Sequence, residues 1–140
     1  MTERPYRLDD QVGHLLRRAY QRASSQLASR IRPYDLTPVQ HATLIRLFEL
    51  GPLSQNQLGR VVAMPPANIH SLVRRLESRG LVRRDPSDKD KRLLTVSLTD
   101  QGRTLAQELM PLDSASTEAA LKLLSPAERE SLYAILRKLV

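Results

Sequence analysis

Asn68-Ile69-His70-Ser71-Leu72-Val73-Arg74-Arg75-Leu76 leads, three residues later, into Gly80-Leu81-Val82-Arg83-Arg84 and then Asp85-Pro86-Ser87-Asp88-Lys89-Asp90-Lys91-Arg92. Three patterns succeed one another here. Ile69, Leu72, Val73 and Leu76 fall at i, i+3, i+4 and i+7, the apolar stripe of a helix that packs on one side only. Gly80 stands where a left-handed residue closes such a helix, with Leu81 placed to fold back over the last turn. Beyond it, Leu94, Val96 and Leu98 alternate with Leu93, Thr95 and Ser97, the period-2 signature of a half-buried strand. The aspartate- and proline-rich run from Asp85 to Asp90 has the chemistry of a hairpin tip.

Working outward, the spacing predicts a helix over 54–64. Ser54 and Gln57 form a capping box, Leu53 and Leu58 a hydrophobic staple, and Leu58, Val61 and Val62 turn inward. Thr37-Pro38 opens an earlier helix that Gly51-Pro52 stops, with Leu44, Leu47 and Phe48 on its buried face. A long first helix is expected over 9–31, ended by Pro33. After the hairpin, Thr99 caps a fifth helix, which Pro111 is expected to kink. Ser125-Pro126-Ala127-Glu128 is a second capping box and starts a sixth helix, striped by Leu132, Ile135, Leu136 and Leu139. The fold class is mainly α with a small antiparallel β-hairpin.

The 140 residues carry a formal charge of +7, unevenly placed. Residues 1–50 hold eight Lys/Arg against five Asp/Glu, residues 51–100 nine against five, and residues 101–140 five against five. The positive field thus covers the first two segments, where a polyanion would be met. Aromatics are only 4% and Trp is absent, which argues against stacking platforms for single strands. With no cysteine, disulfides, thiolate redox sensing and Cys-ligated zinc are excluded. Only His14, His41 and His70 could supply imidazole ligands, no two of them at i,i+4, so no metal site is expected. Asp85, Asp88 and Asp90 lack the glycine and terminal glutamate of a calcium loop. No nucleophile–base pair or glycine-rich phosphate loop occurs, so neither catalysis nor a cofactor is expected. No apolar run approaches about 20 residues and no signal-peptide pattern opens the chain, so the expectation is a cytoplasmic protein without a membrane partner.

Opposite the apolar stripe of the 66–79 helix lie Ala67, Ser71, Arg74 and Arg75, with Asn68 and His70 at the flanks. Small residues would let such a helix lie deep in a major groove. Asn68 suits adenine, and Arg74 or Arg75 suits guanine or phosphate. Lys89, Asp90, Lys91 and Arg92 crowd the hairpin tip, where a carboxylate can orient an arginine by a bidentate pair and present it to a narrow minor groove. Double-stranded DNA is therefore the expected partner. A non-specific architectural DNA-binding protein and a winged-helix protein-interaction module remain open beside a sequence-specific regulator. His14, Arg17, Arg18 and Gln21 share a flank of the first helix, and His41 on the second could approach them. That cationic wall would suit a carboxylate-bearing ligand.

Arg79-Gly80-Leu81-Val82, followed by Asp90-Lys91-Arg92, five residues, Leu98-Thr99 and Gly102, resembles the wing signature of the multiple antibiotic resistance regulator (MarR) family. Element order and length resemble that family across the whole chain. The resemblance implies a winged helix-turn-helix in a single domain over 1–140, with dimerisation helices at 9–32 and 103–140 and a DNA-binding lobe at 37–100. It implies a homodimer on a pseudo-palindromic operator, usually repressing, released by a small aromatic or acidic effector. Arg92 would be the minor-groove arginine, oriented by Asp90, with Ser71 and Arg74 on the recognition face. One departure is the turn at Met64-Pro65-Pro66, stiffer than a polar Ser/Thr turn. The stripe of the sixth helix has little core of its own left to cover, which independently favours pairing with a second chain.

Overall fold

Capping chemistry sets most helix boundaries in the computed structural model of the chain, which describes residues 4–140. The helices are α1 (Val12–Ile31), α2 (Pro38–Leu50), α3 (Gln55–Val61), α4 (Pro66–Ser78), α5 (Asp100–Ala120) and α6 (Pro126–Leu139), and the strands are β1 (Leu53–Ser54), β2 (Val82–Pro86) and β3 (Leu94–Leu98). Capping boxes close the starts of α2, α3 and α6. In each, a Thr37, Ser54 or Ser125 hydroxyl accepts from the backbone N–H of Gln40, Gln57 or Glu128, whose side chain accepts in return from the cap's own N–H.

The chain divides into two units. One takes Ile31–Leu112, the other the residues up to Arg30 with Asp113–Val140. The first unit has a core of Leu44, Leu47, Leu58, Val73, Leu76, Val82 and Val96, each at most 2% exposed. Its sheet has the order β1-β3-β2, all antiparallel. Arg84 faces Val96 in register, and Val96 faces Leu53 on its other side. The expected hairpin is therefore part of a three-stranded sheet, because Leu53 and Ser54 pair with Val96 and Thr95 before Ser54 turns to cap α3.

Two further expectations shift. Asp85 and Pro86 belong to β2, opposite Thr95 and Leu94, so the tip begins at Ser87. β2 is an edge strand, which tolerates a proline that cannot donate. The first helix begins at Val12, since Leu8–Asp10 is a 3-10 turn and Gln11 is extended. The fifth helix continues through Pro111, from Asp100 to Ala120, in keeping with the expectation that the proline does not end it. Proline leaves the Gln107 carbonyl without its helical donor, and both residues are exposed, so water can satisfy that oxygen.

In the second unit, Arg22 Nε donates to the Ala120 carbonyl at 3.3 Å and Ser116 Oγ to the Gln26 carbonyl at 3.4 Å, tying α1 to α5. Arg129 of α6 pairs with Glu118 of α5 at 2.8 Å. No residue of α6 is buried, and Val12, Leu15, Tyr20, Ile135 and Leu139 are all exposed.

Candidate nucleic-acid interface

The α4 stripe behaves as its spacing requires: Ile69, Leu72, Val73 and Leu76 are buried, and Ala67, Asn68, His70, Ser71, Arg74 and Arg75 are all exposed. Pro65 and Pro66 start the helix without a side-chain cap, and the preceding Ala63 takes a left-handed φ of 55° to make the turn from α3. At the other end Gly80, at φ 72°, lets its N–H donate to the Glu77 carbonyl and that of Leu81 to the Leu76 carbonyl, a Schellman closure.

That closure is locked to α5. Thr99 Oγ1 donates to the Gly80 carbonyl at 2.6 Å and accepts from the Gly102 N–H at 3.0 Å, while the Thr99 N–H donates to the Leu81 carbonyl. A Cβ on Gly102 would overlap the Leu81 carbonyl. Leu98-Thr99 and Gly102 thus join the end of α4, the base of the hairpin and the start of α5.

At the tip, Arg92 Nε and Nη2 donate to the two oxygens of Asp90 at 3.1 and 3.2 Å, and the Arg92 backbone N–H donates to Asp90 Oδ1. The Arg92 side chain is 89% exposed yet held at its fork. These bonds, the side-chain ones first, hold the Asp90 carboxyl below its ordinary value, so it stays ionised at neutral pH. Lys89 and Lys91 are exposed beside it.

Sequence reasoning missed a second fork. Arg84 Nε and Nη2 donate to the two Glu77 oxygens, both at 3.0 Å, linking the last turn of α4 to the middle of β2. The bonded Arg84 side chain, followed by the charges of Arg84 and Arg74, lowers the Glu77 carboxyl below its ordinary value. No periodicity marks a pair that straddles a helix end and a strand start. Also unread was a cleft of about 940 Å³ between the start of α3 and the wing, where Asn56, Arg60, Arg83 and Lys89 add polar and cationic groups.

The expected effector residues fall in both units. On α1, His14 Nε2 lies 3.6 Å from Asp9 Oδ1, Arg18 reaches the same oxygen at 4.0 Å, and Arg17 and Gln21 are exposed. His41 is buried on α2, within the winged unit.

A family model described as the MarR family matches residues 36–94, from just before α2 into β3. The transcriptional repressor NicR of Pseudomonas putida is 36% identical over 136 residues, covering 97% of this chain and 86% of the repressor. The chain belongs to the MarR family. Among solved members, BpsR of Bordetella bronchiseptica, whose DNA binding is regulated by 6-hydroxynicotinic acid, matches with a TM-score of 0.90 at 34% identity, covering 97% of each chain. A mutant of Escherichia coli MarR complexed with operator DNA matches with a TM-score of 0.85 at 25% identity, covering 92% of this chain and 93% of that one. As a MarR-family protein the chain is a DNA-binding transcriptional regulator. Among the described residues, no helix is long and apolar enough to cross a membrane, and no cluster of three or more His, Cys, Asp or Glu is placed to hold a metal ion.

Proposed function

We propose that two copies of this chain repress transcription by gripping a pseudo-palindromic operator, each with α4 in a major groove and its wing in the adjacent minor groove. The observation that carries this reading is the joint geometry of one unit. An exposed helix face bearing Asn68, Ser71, Arg74 and Arg75 stands beside an exposed arginine whose fork is held by Asp90. Ala67 and His70 border the helix contact, and Lys89 and Lys91 add phosphate attraction at the wing. The helices on either side of this lobe, over 9–32 and 103–140, form the dimer layer in this reading. Two-fold symmetry then sets half-site centres about one helical turn, ~10 bp, apart.

The effector we assign is a small heteroaromatic acid. The regulation of BpsR by 6-hydroxynicotinic acid supports that class, and on α1 the cationic Arg17 and Arg18, beside His14 and Gln21, offer the matching charge. An effector that favours a dimer with mis-spaced recognition helices must oppose operator binding, by linkage.

Fluorescence anisotropy on the operator-like palindromes upstream of the chain's own gene and its neighbours, against scrambled duplexes at one salt concentration, tests the core of this reading. Specific affinity should exceed non-specific affinity by about 10³-fold or more. A ratio near one eliminates a sequence-specific regulator. Adding 6-hydroxynicotinic acid or nicotinic acid should release the operator and raise the melting temperature of the free protein; no effect from either removes the heteroaromatic class.

A further inference from the structure

The Glu77–Arg84 fork joins the two elements that the proposed function places in different grooves, and it lies outside both contact surfaces. It spans from the last turn of α4 to the centre of β2, a strand that follows α4 after only three residues. Between them the chain turns at Gly80 in the left-handed region. Thr99 holds the Gly80 and Leu81 carbonyls at this turn, which fixes the base of the hairpin but nothing further along it. Past the base, β2 is the edge of the sheet and its last residues are exposed. The fork is a side-chain link from the helix to β2 beyond that turn, on the edge of the sheet opposite the β1 pairing that holds Val96 and Thr95 of β3.

We propose that Glu77 and Arg84 are positioning residues: their bidentate pair braces the wing against the recognition helix and sets the separation at which Arg92 meets its groove. The part played by DNA rests on the proposed function; the brace does not. Geometry shows why such a brace matters. From the hinge to the tip is roughly five or six extended residues, about 18 Å at ~3.3 Å each. A tilt of ~10° at the hinge would move Arg92 about 3 Å, half the ~6 Å width of a minor groove. An arginine fork on a carboxylate resists such a tilt because two parallel bonds fix orientation as well as distance, whereas a lysine would keep the charge and lose the orientation. With side chains 26% and 37% exposed, the pair is too accessible to contribute much to global stability, so its value lies in geometry.

Two measurements on the full-length protein test this. The chain has no native cysteine, so spin labels on Ser71→Cys and Lys89→Cys report the helix-to-tip distance without further changes, in labelled chain diluted with unlabelled chain. The distance distribution should be narrow in the parent and broaden in Glu77→Gln and in Arg84→Lys, with no DNA present. A width unchanged in both variants overturns the brace. On operator DNA, Glu77→Gln should weaken binding about tenfold, but less than about twofold when Arg92→Ala is already present, because both act through the same contact. Losses that multiply instead assign Glu77 a role apart from the wing and overturn the proposal. Absence of specific DNA binding by the parent would defeat the proposed function alone, since the label distances still decide the brace.

Discussion

At Gly102 the missing side chain is a steric requirement. Glycine inside a helix ordinarily costs about 1 kcal/mol relative to alanine, so Gly102→Ala would be expected to stabilise α5. Here the added Cβ meets the Leu81 carbonyl, and the backbone holding it is pinned by Thr99. Gly102→Ala should therefore destabilise the protein by about 1–3 kcal/mol, read from urea denaturation, with separation of α4 from α5 as the relief. A second expectation concerns acid. Asp90 and Glu128 have lowered pKa values, Asp90 through Arg92 and Glu128 first through the Ser125 backbone N–H. Groups lowered in the folded state stabilise it above their unfolded pKa and lose that contribution as pH falls through the folded one. Neither should add pH dependence between about pH 5 and 8, and the loss should appear only at more acid pH. Glu128→Gln should flatten part of that acid limb in urea midpoints; an unchanged limb would remove the α6 capping box from it. The Asp90–Arg92 pair was legible in the sequence because two residues across a turn have few places to go. Glu77 and Arg84 were not legible, because a helix end, a left-handed glycine and a strand start lie between them.

The elements most readable in advance were those whose ends carry their own chemistry. Ser54 with Gln57 and Ser125 with Glu128 announced α3 and α6, and Gly80 announced the end of α4. β1 was invisible because its two residues also serve as lead-in and cap to α3, and pairing with Val96 and Thr95 leaves no local periodicity. α5 continues through Pro111, where the exposed Gln107 carbonyl that loses its helical donor can turn to water. For α4, the six exposed positions followed from the apolar stripe, but which of them reads a base does not. Arg74→Ala should cost about 1–3 kcal/mol at one operator position if Arg74 makes a bidentate base contact. Binding-site selection with the variant would then show relaxed preference at that position alone. A uniform loss over all sequences would make Arg74 a phosphate anchor, with a shallower salt dependence to match.

For the whole molecule, the question is what covers the apolar side chains of α1 and α6. Burying each of Val12, Leu15, Ile135 and Leu139 would contribute up to about 1.5–3 kcal/mol, enough together for a stable association. Ile135→Glu with Leu139→Glu should therefore convert a dimer into a monomer by sedimentation velocity, with the winged unit still folded by circular dichroism. Operator affinity should fall steeply in the same variant, since one wing and one helix would then bind without their twins. A dimer that survives both glutamates would move the association surface elsewhere. The wing carries a cost of its own. The segment that extends Lys89, Lys91 and Arg92 into solvent also offers their peptide bonds to any trypsin-like protease, and exposed loop tips are where nicking concentrates. A cut there would leave β2 and β3 zipped together and the core untouched. The clipped regulator would keep its shape while losing a finger, and a bound duplex should shield that bond from the blade.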